Sequence, residues 1–199
     1  MNERKIILDL CGGTGAWSLP YREAGYDVRV ITLPDHDVRT YEPPEGVYGI
    51  LAAPPCTQFS FARQRYKTPP DFKGALEAVD ACMRIIRACQ LSGHLKFWAL
   101  ENPVGHLRKF LGRPQYTFRQ WQFGGYHVKP TDIWGWFDTP KPTHRKRPDI
   151  SGDELMKRWS NPKIPKEIAK QFPTTKERRA AVRAITPEGF ARAFYKANK

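Results

Sequence analysis

Apolar positions along this chain follow two rhythms. Lys5-Ile6-Ile7-Leu8-Asp9-Leu10 is a β-branched run with almost no alternation, the pattern of a strand buried on both faces of a parallel sheet. Cys11-Gly12-Gly13-Thr14-Gly15 breaks it, and Ala16 to Ala24 then predicts a helix with Thr14 as cap, Pro20 disturbing its middle and Gly25 ending it. Tyr26 to Ile31 predicts a second strand and Val47 to Ala52 a third. Strand, glycine turn, helix and strand make a βαβ unit, which calls for a parallel sheet with a right-handed crossover. The longer rhythm lies in Phe72 to Leu91, where Leu76, Val79, Met83, Ile86 and Cys89 recur at helical spacing along one face. Lys96 to Leu100 predicts a fourth strand that delivers Glu101-Asn102-Pro103 at its carboxyl end.

Beyond about residue 113 the chain turns aromatic and irregular, with Tyr116 to Phe123 and Thr131 to Phe137 as further strands. Thr139 to Pro165 is rich in proline and basic residues and reads as a surface excursion. Thr175 to Ala184 and Pro187 to Ala197 predict two helices, the second capped by Thr186 with Pro187 in its first turn. The fold expected from this order is α/β and Rossmann-like: a mostly parallel central sheet flanked by helices, in one domain over residues 1–199.

Composition narrows the partner. The 33 Lys and Arg against 20 Asp and Glu leave a net charge of +13, so an anionic partner is expected. A 40 % hydrophobic content with 13 % aromatic residues excludes a disordered basic tail, and no apolar run approaches the roughly 20 residues of a membrane span. The first residues lack a secretory signal's apolar core, which points to the cytoplasm. Cysteines 11, 56, 82 and 89 form no C-x-x-C pair, and the histidines show no metal-site spacing, so neither disulfides nor a metal is expected. Cys82 and Cys89 lie on the helix face as packing residues.

Two segments carry candidate chemistry. The glycine turn after the first strand lets main chain approach a ligand closely, although a plain tight turn has the same composition. Pro54-Pro55-Cys56-Thr57-Gln58-Phe59-Ser60 holds a thiol in a stiff turn at a strand end, and a nucleophilic cysteine must be fixed in direction. Adjacent strands lie about 5 Å apart, so Cys56 and Glu101 at neighbouring strand ends could engage one flat substrate from two sides. In open α/β sheets the loops after the strands' carboxyl ends form the ligand crevice.

The glycine loop, the Pro-Pro-Cys-x-x-Phe-Ser segment and Glu101-Asn102-Pro103 resemble, in order and spacing, the S-adenosylmethionine-dependent DNA cytosine-5 methyltransferases. Lys129-Pro130-Thr131-Asp132-Ile133-Trp134-Gly135 and Thr186-Pro187-Glu188-Gly189-Phe190 resemble the compact phage-type branch. The resemblance implies a class I methyltransferase fold and a monomer acting on DNA with S-adenosyl-L-methionine. It implies Cys56 as the nucleophile that attacks cytosine C6 and Glu101 as the acid at N3. It places Asp9, the main chain of Cys11, Gly12, Gly13, Thr14 and Gly15, and Asp37, Pro54 and Thr186 at the cofactor, with Asp35 competing for the role of Asp37. Pro55, Ser60, Asn102, Lys129, Arg145 and Arg147 fall at the substrate, with Arg119 as an alternative to Lys129.

This chain departs from the family pattern in places. Cys11 stands where the family has phenylalanine, Thr57 replaces the usual glutamine, and no ribose-binding acid occurs around Ile31-Thr32-Leu33. Only residues 139–168, a short basic insertion, stand in place of a target-recognition domain, so relaxed or very short sequence preference is expected. Basic runs such as His144-Arg145-Lys146-Arg147 are usually solvated faces; here Trp134, Trp136 and Phe137 lie near in sequence, which suits a nucleic-acid groove. Two other readings stay open: an RNA cytosine-5 methyltransferase, and a non-catalytic basic DNA-binding or decoy protein on the same fold.

Overall fold

The computed structural model describes residues 4–61, 67–125, 129–149, 151–152, 170, 174, 178, 181–182 and 184–199. Its elements in chain order are β1 (Ile6–Leu10), α1 (Leu19–Glu23), β2 (Asp27–Ile31), β3 (Val47–Ala52), α2 (Phe72–Leu91), β4 (Phe97–Pro103), α3 (Arg108–Leu111), β5 (Tyr116–Arg119), a 3-10 turn (Gln120–Phe123), β6 (Pro130–Trp136) and α4 (Glu188–Ala197). They build one six-stranded sheet in the order β2-β1-β3-β4-β6-β5. The first four strands of that order run parallel, β6 is antiparallel to both of its neighbours, and β5 therefore shares the common direction. The fold is α/β and Rossmann-like, with a mostly parallel sheet.

Strand alternation distributes the core to the two faces. Leu8, Leu10, Ile50 and Leu100 pack on one face with Val79, Cys82, Ile86 and Cys89 of α2. Ile7, Leu51, Phe97 and Ala99 pack on the other with Trp17, Tyr21, Phe190 and Phe194, so α1 and α4 close that side. All eight strand residues are nearly or wholly buried, which explains why the parallel strands read as continuous apolar runs. Cys82 and Cys89 do pack in the core, whereas Leu76 and Met83 are only half-buried. Cys82, not Met83, takes the middle of the helix face, opposite Cys11.

Several predicted bounds shift, each for a tertiary reason. The helix expected over 16–24 is the short α1; Pro20 lies in its first turn, where no N–H is needed, and does not kink it. Thr14 is not its cap: Ser18 occupies that position, but its hydroxyl goes to Asp9 and Gly15 rather than to the helix. The segment expected as one strand over 116–123 divides into β5 and the 3-10 turn. α4 begins at Glu188 with Pro187 as its cap residue and no side-chain cap bond, so Thr186 does not cap it. Much of the helix expected over 175–184, and most of the basic segment 139–168, lies outside the described residues.

β4 is longer than expected and contains Glu101-Asn102-Pro103 instead of merely leading to them. β3 accompanies it only as far as Leu100, opposite Ala52. Glu101, Asn102 and Pro103 stay extended because β6 pairs with them on the other side, through Ile133, Asp132 and Thr131.

Candidate active site

The strand order reverses between β1 and β3: β2 lies outside β1, while the chain then crosses to β3 and β4. At such a switch point the loops after adjacent strands diverge and leave a crevice. Here the loops are 11–15 after β1 and 53–61 after β3. Ala53 N–H donates to Leu10 O at 2.9 Å, so both loops leave from one fixed edge.

The glycine loop is underpinned by Asp9. Its carboxylate lies directly beneath Gly12, where a Cβ would collide with it. Ser18 Oγ lies 2.6 Å from Asp9 Oδ2 and 3.2 Å from Gly15 O. A hydroxyl has one hydrogen, so both contacts are bonds at once only when Asp9 supplies a proton to Ser18. Burial pushes the Asp9 carboxyl up to about 6, against the opposing effects of the Ser18 bond and the nearby Arg22 charge. Asp9 Oδ1 is buried with no partner among the described residues. Cys11, Gly13 and Gly15 all take positive φ values of 54°, 55° and 69°. At Gly13 the space where a side chain would stand is open. The Cys11 side chain turns away to Cys82, whose thiol donates to it; the bond lowers the Cys11 thiol and raises that of Cys82.

The loop after β3 is fastened at several points. Pro54 is buried and its carbonyl accepts from Asn102 Nδ2 at 3.1 Å. Gln58 Oε1 accepts from Asp71 N–H, while the Asp71 side chain caps α2 through Gly74 N–H at 3.0 Å. Ser60 pairs with Gly105, and His106 N–H donates to Phe59 O at 2.7 Å. Gly105 has no room for a Cβ because Phe59 O occupies that place. Pro55 and Thr57 are exposed and Cys56 and Ser60 half-buried, so the thiol stands at the mouth of a rigid turn.

Cys56 and Glu101 are brought within electrostatic reach of each other, and Lys129 lies within reach of both. Burial raises the Cys56 thiol, the Lys129 ammonium opposes that rise, and the Glu101 carboxylate adds to it. Glu101 keeps some exposed surface yet is enclosed enough that burial raises its carboxyl, Lys129 opposing and Asp132 adding. Asp132 is wholly buried beside it on β6, held by Arg108 Nε and Nη2 at 2.7 Å each and by Thr117 Oγ1 at 2.6 Å. Lys129 reaches this place because β6 runs antiparallel and so begins where β4 ends; Val104 N–H donates to Pro130 O at 3.0 Å.

Other expected site residues are placed differently. Asn102 is fully buried; its Nδ2 donates to Pro54 O and so holds the loop, while its Oδ1 has no partner among the described residues. Asp37 is clasped by Arg39, whose Nη2 donates to it at 2.6 Å, and this guanidinium holds its carboxyl below the usual range. Asp35 is exposed, and Thr186 is half-buried two residues before α4. Arg145 and Arg147 are exposed, and nothing among the described residues joins them to Cys56 or Glu101. Ser18 and Asp132 were not foreseen. An acid inside the apolar run Thr131-Asp132-Ile133-Trp134 was the available signal for the second, since a buried carboxylate needs a partner.

An open depression of about 720 Å³ lies at the opposite edge of the sheet, against Arg4, Ile6, Asp27, Arg29, Pro44 and His94. Two of its charged residues, Asp27 and Arg29, pair with each other at 2.7 Å. Among the described residues no group of three or more His, Cys, Asp or Glu side chains comes together in a metal-binding arrangement. No helix among them is long and apolar enough to cross a membrane.

No protein-family model matches this chain, and no curated protein does. Among solved structures it is similar to a prophage-encoded E. coli protein assigned as a DNA modification methyltransferase, at 16 % identity and a TM-score of 0.49. That match covers 73 % of this chain and 56 % of the other, so this chain spans little more than half of that protein's length. It is also similar to the 23S rRNA methyltransferase ErmE, at 14 % identity and a TM-score of 0.30, over 99 % of this chain and 92 % of that one.

Proposed function

We propose that this chain is an S-adenosylmethionine-dependent DNA (cytosine-5-)-methyltransferase that works through a covalent Cys56 adduct, as one domain and as a monomer. The observation that carries this reading is the meeting of Cys56, Glu101 and Lys129 at the ends of adjacent strands. The resemblance to the phage-type branch supports a reaction in the cytoplasm of a bacterium or of a phage-infected cell.

The residues fit the cofactor. The glycine loop leaves open space at Gly13 and presents main chain with little side-chain cover. Main-chain groups of Cys11, Gly12, Gly13, Thr14 and Gly15 would hold it, with Asp9 beneath them and Asp37, Pro54 and Thr186 around them. S-adenosylmethionine supplies, when bound, a methyl group on a sulfonium, which is a strong electrophile.

The chain's own residues must make cytosine C5 nucleophilic. Cys56 Sγ, as thiolate, adds to C6 and sends the ring electrons toward C5, while a protonated Glu101 donates to N3 and takes up the developing charge. A proton on Glu101 serves both events: it provides the donor and removes the carboxylate that disfavours the Cys56 thiolate. Lys129 favours the thiolate throughout. After methylation the C5 proton passes to water, its bonding pair re-forms the C5–C6 double bond and expels Cys56 as thiolate, and N3 returns its proton to Glu101. The base must leave the duplex for Cys56 to reach its face, and a cationic chain of +13 can hold the flanking phosphates.

The test is to incubate the protein and S-adenosylmethionine with duplex DNA containing 5-fluorocytosine, which blocks loss of the C5 substituent. A denaturation-resistant protein–DNA adduct, absent from Cys56→Ala, is expected. Absence of both adduct and methyl transfer across DNA of randomised sequence overturns the reading. Adduct and methyl transfer confined to RNA would replace it with the RNA reading. Scrambling the bases around the target is expected to change activity little, and strict dependence on one four-to-six-base site would contradict the relaxed preference.

A further inference from the structure

The loop that carries Cys56 also presents a feature that methyl-transfer chemistry does not require. Phe61, five residues after Cys56, is 46 % exposed, and Phe110 of α3 is 43 % exposed. One continuous line of rings joins them. Phe61 meets His106 edge-on with centroids 5.0 Å apart, His106 meets Phe72 at 5.5 Å, and Phe72 meets Phe110 at 5.5 Å. A single exposed apolar side chain is ordinary. Two at the ends of one braced line, one of them on the loop that carries Cys56, form a surface with a shape.

That surface is held in place. The Ser60–Gly105 bridge and the His106 N–H bond to Phe59 O fix the base of Phe61 to the segment that follows β4. At the other end Lys109 and Arg113 are exposed on either side of Phe110 in sequence. Flat rings bordered by cations suit a ligand with flat faces joined by anions. Nucleic-acid strands are that ligand, and base-on-aromatic stacking is how proteins hold unpaired bases whatever their identity.

We infer that Phe61 and Phe110 each stack one unpaired base of a DNA strand drawn toward the Cys56 loop, with Lys109 and Arg113 on the adjoining phosphates. The inference rests on the reading of DNA as substrate and adds to it a means of holding the strand that ignores base identity. This accounts for binding by a chain with so short a recognition segment.

The experiment is a binding cycle on the full chain, read by fluorescence anisotropy. The probe is a labelled single-stranded oligodeoxynucleotide with one cytosine, into which an abasic nucleotide is moved one position at a time. Phe61→Ala is expected to weaken binding of the intact strand about 5- to 150-fold, the range for loss of one stacked base. One abasic position should produce the same loss in the unaltered protein and no further loss in Phe61→Ala. Phe61→Trp should restore affinity, and Phe61→Leu, which keeps apolar bulk without a flat face, should not. Lys109→Ala and Arg113→Ala should each lower the salt dependence of binding by about one counterion.

Should Phe61→Ala fail to fold, Phe61→Leu and Phe110→Ala carry the same cycle. A change under twofold in both phenylalanine variants, or losses that multiply at every abasic position, overturns the stacking. The same coupling with tighter binding on an oligoribonucleotide overturns the choice of DNA. Methyl transfer by the unaltered protein is measured in parallel: transfer without coupling sinks the stacking alone, and coupling without transfer sinks the enzyme reading alone.

Discussion

Asn102 Nδ2 donates to the carbonyl of Pro54 at 3.1 Å, both residues being buried. A residue of β4 thereby fixes the start of the turn that carries Cys56, and the neighbouring residue on β4 is Glu101. Thiol and carboxyl are thus positioned from one piece of backbone.

Removing that tie should loosen the turn. Asn102→Ala leaves the Pro54 carbonyl buried without a donor, a loss of about 1–3 kcal/mol. Urea denaturation should show a destabilisation of that size. Turnover should fall, and cofactor affinity should weaken with it, since Pro54 is one of the residues placed at the cofactor. Unchanged stability would mean that the bond is not made.

Charge around Cys56 should be readable without any enzyme assay. Lys129→Ala removes the cation that opposes the raised thiol, so the pH midpoint for alkylation of Cys56 by iodoacetamide should move up. Glu101→Gln removes the carboxylate that raises it, so the midpoint should move down. Peptide mass spectrometry separates Cys56 from Cys11, Cys82 and Cys89. Movement of both variants in one direction would contradict the placement of these groups. In the enzyme reading, Glu101→Gln also loses most turnover.

Asp9 predicts a pH dependence of stability. Its carboxyl lies at about 6 in the folded protein against an ordinary 3.8, so the folded state binds this proton more tightly than the unfolded chain. The resulting stabilisation is fully present below the unfolded value and is lost as pH rises through the folded one, between about 4 and 6. A displacement of that size corresponds to about 3 kcal/mol for a buried group. Asp9→Asn keeps an acceptor for Ser18 and cannot ionise, so its stability should be flatter across this window. Denaturation series from pH 4 to 7.5 on both proteins test this; equal slopes would exclude Asp9 as the cause.

Close approach at Gly105 should be costly to disturb. A Cβ there would strike Phe59 O, whereas one at Gly46 meets open space. Gly105→Ala is expected to lose about 1–3 kcal/mol by overpacking and to expose the Cys56 turn to proteolysis. Gly46 has a φ of +72°, so Gly46→Ala measures conformational strain alone and should cost less. A reversed ranking would contradict the packing of loop 53–61 on the end of β4.

Much of this was legible in the residues. The bounds of α2 and β3 follow from apolar periodicity, and the neighbouring placement of the Cys56 turn and Glu101 from the order of the strands. The misreadings have one origin. Ser18 was available as a cap but bonds Asp9, nine residues away. Glu101 to Pro103 stay in a strand because β6 pairs with them, from about thirty residues downstream. Aromatic density over 116–123 resembled one long strand, while Phe123 turns inward onto Phe118 and Phe190 at 5.4 and 5.2 Å, packing that a continued strand would not give.

By itself the sequence determined the layers: which runs are buried, where glycine breaks them, and that a thiol and an acid lie toward the carboxyl ends of neighbouring strands. Periodicity and turn chemistry are local, and they act within a few residues of where they are written. Only the tertiary structure decided how Lys129, expected at the substrate, comes within reach of Cys56 and Glu101, that Asp132 stands behind the acid, and that Asn102 serves the loop. Those outcomes depend on the reversed direction of β6 and on its register against β4, which set how charges from distant segments meet in a poorly solvated place.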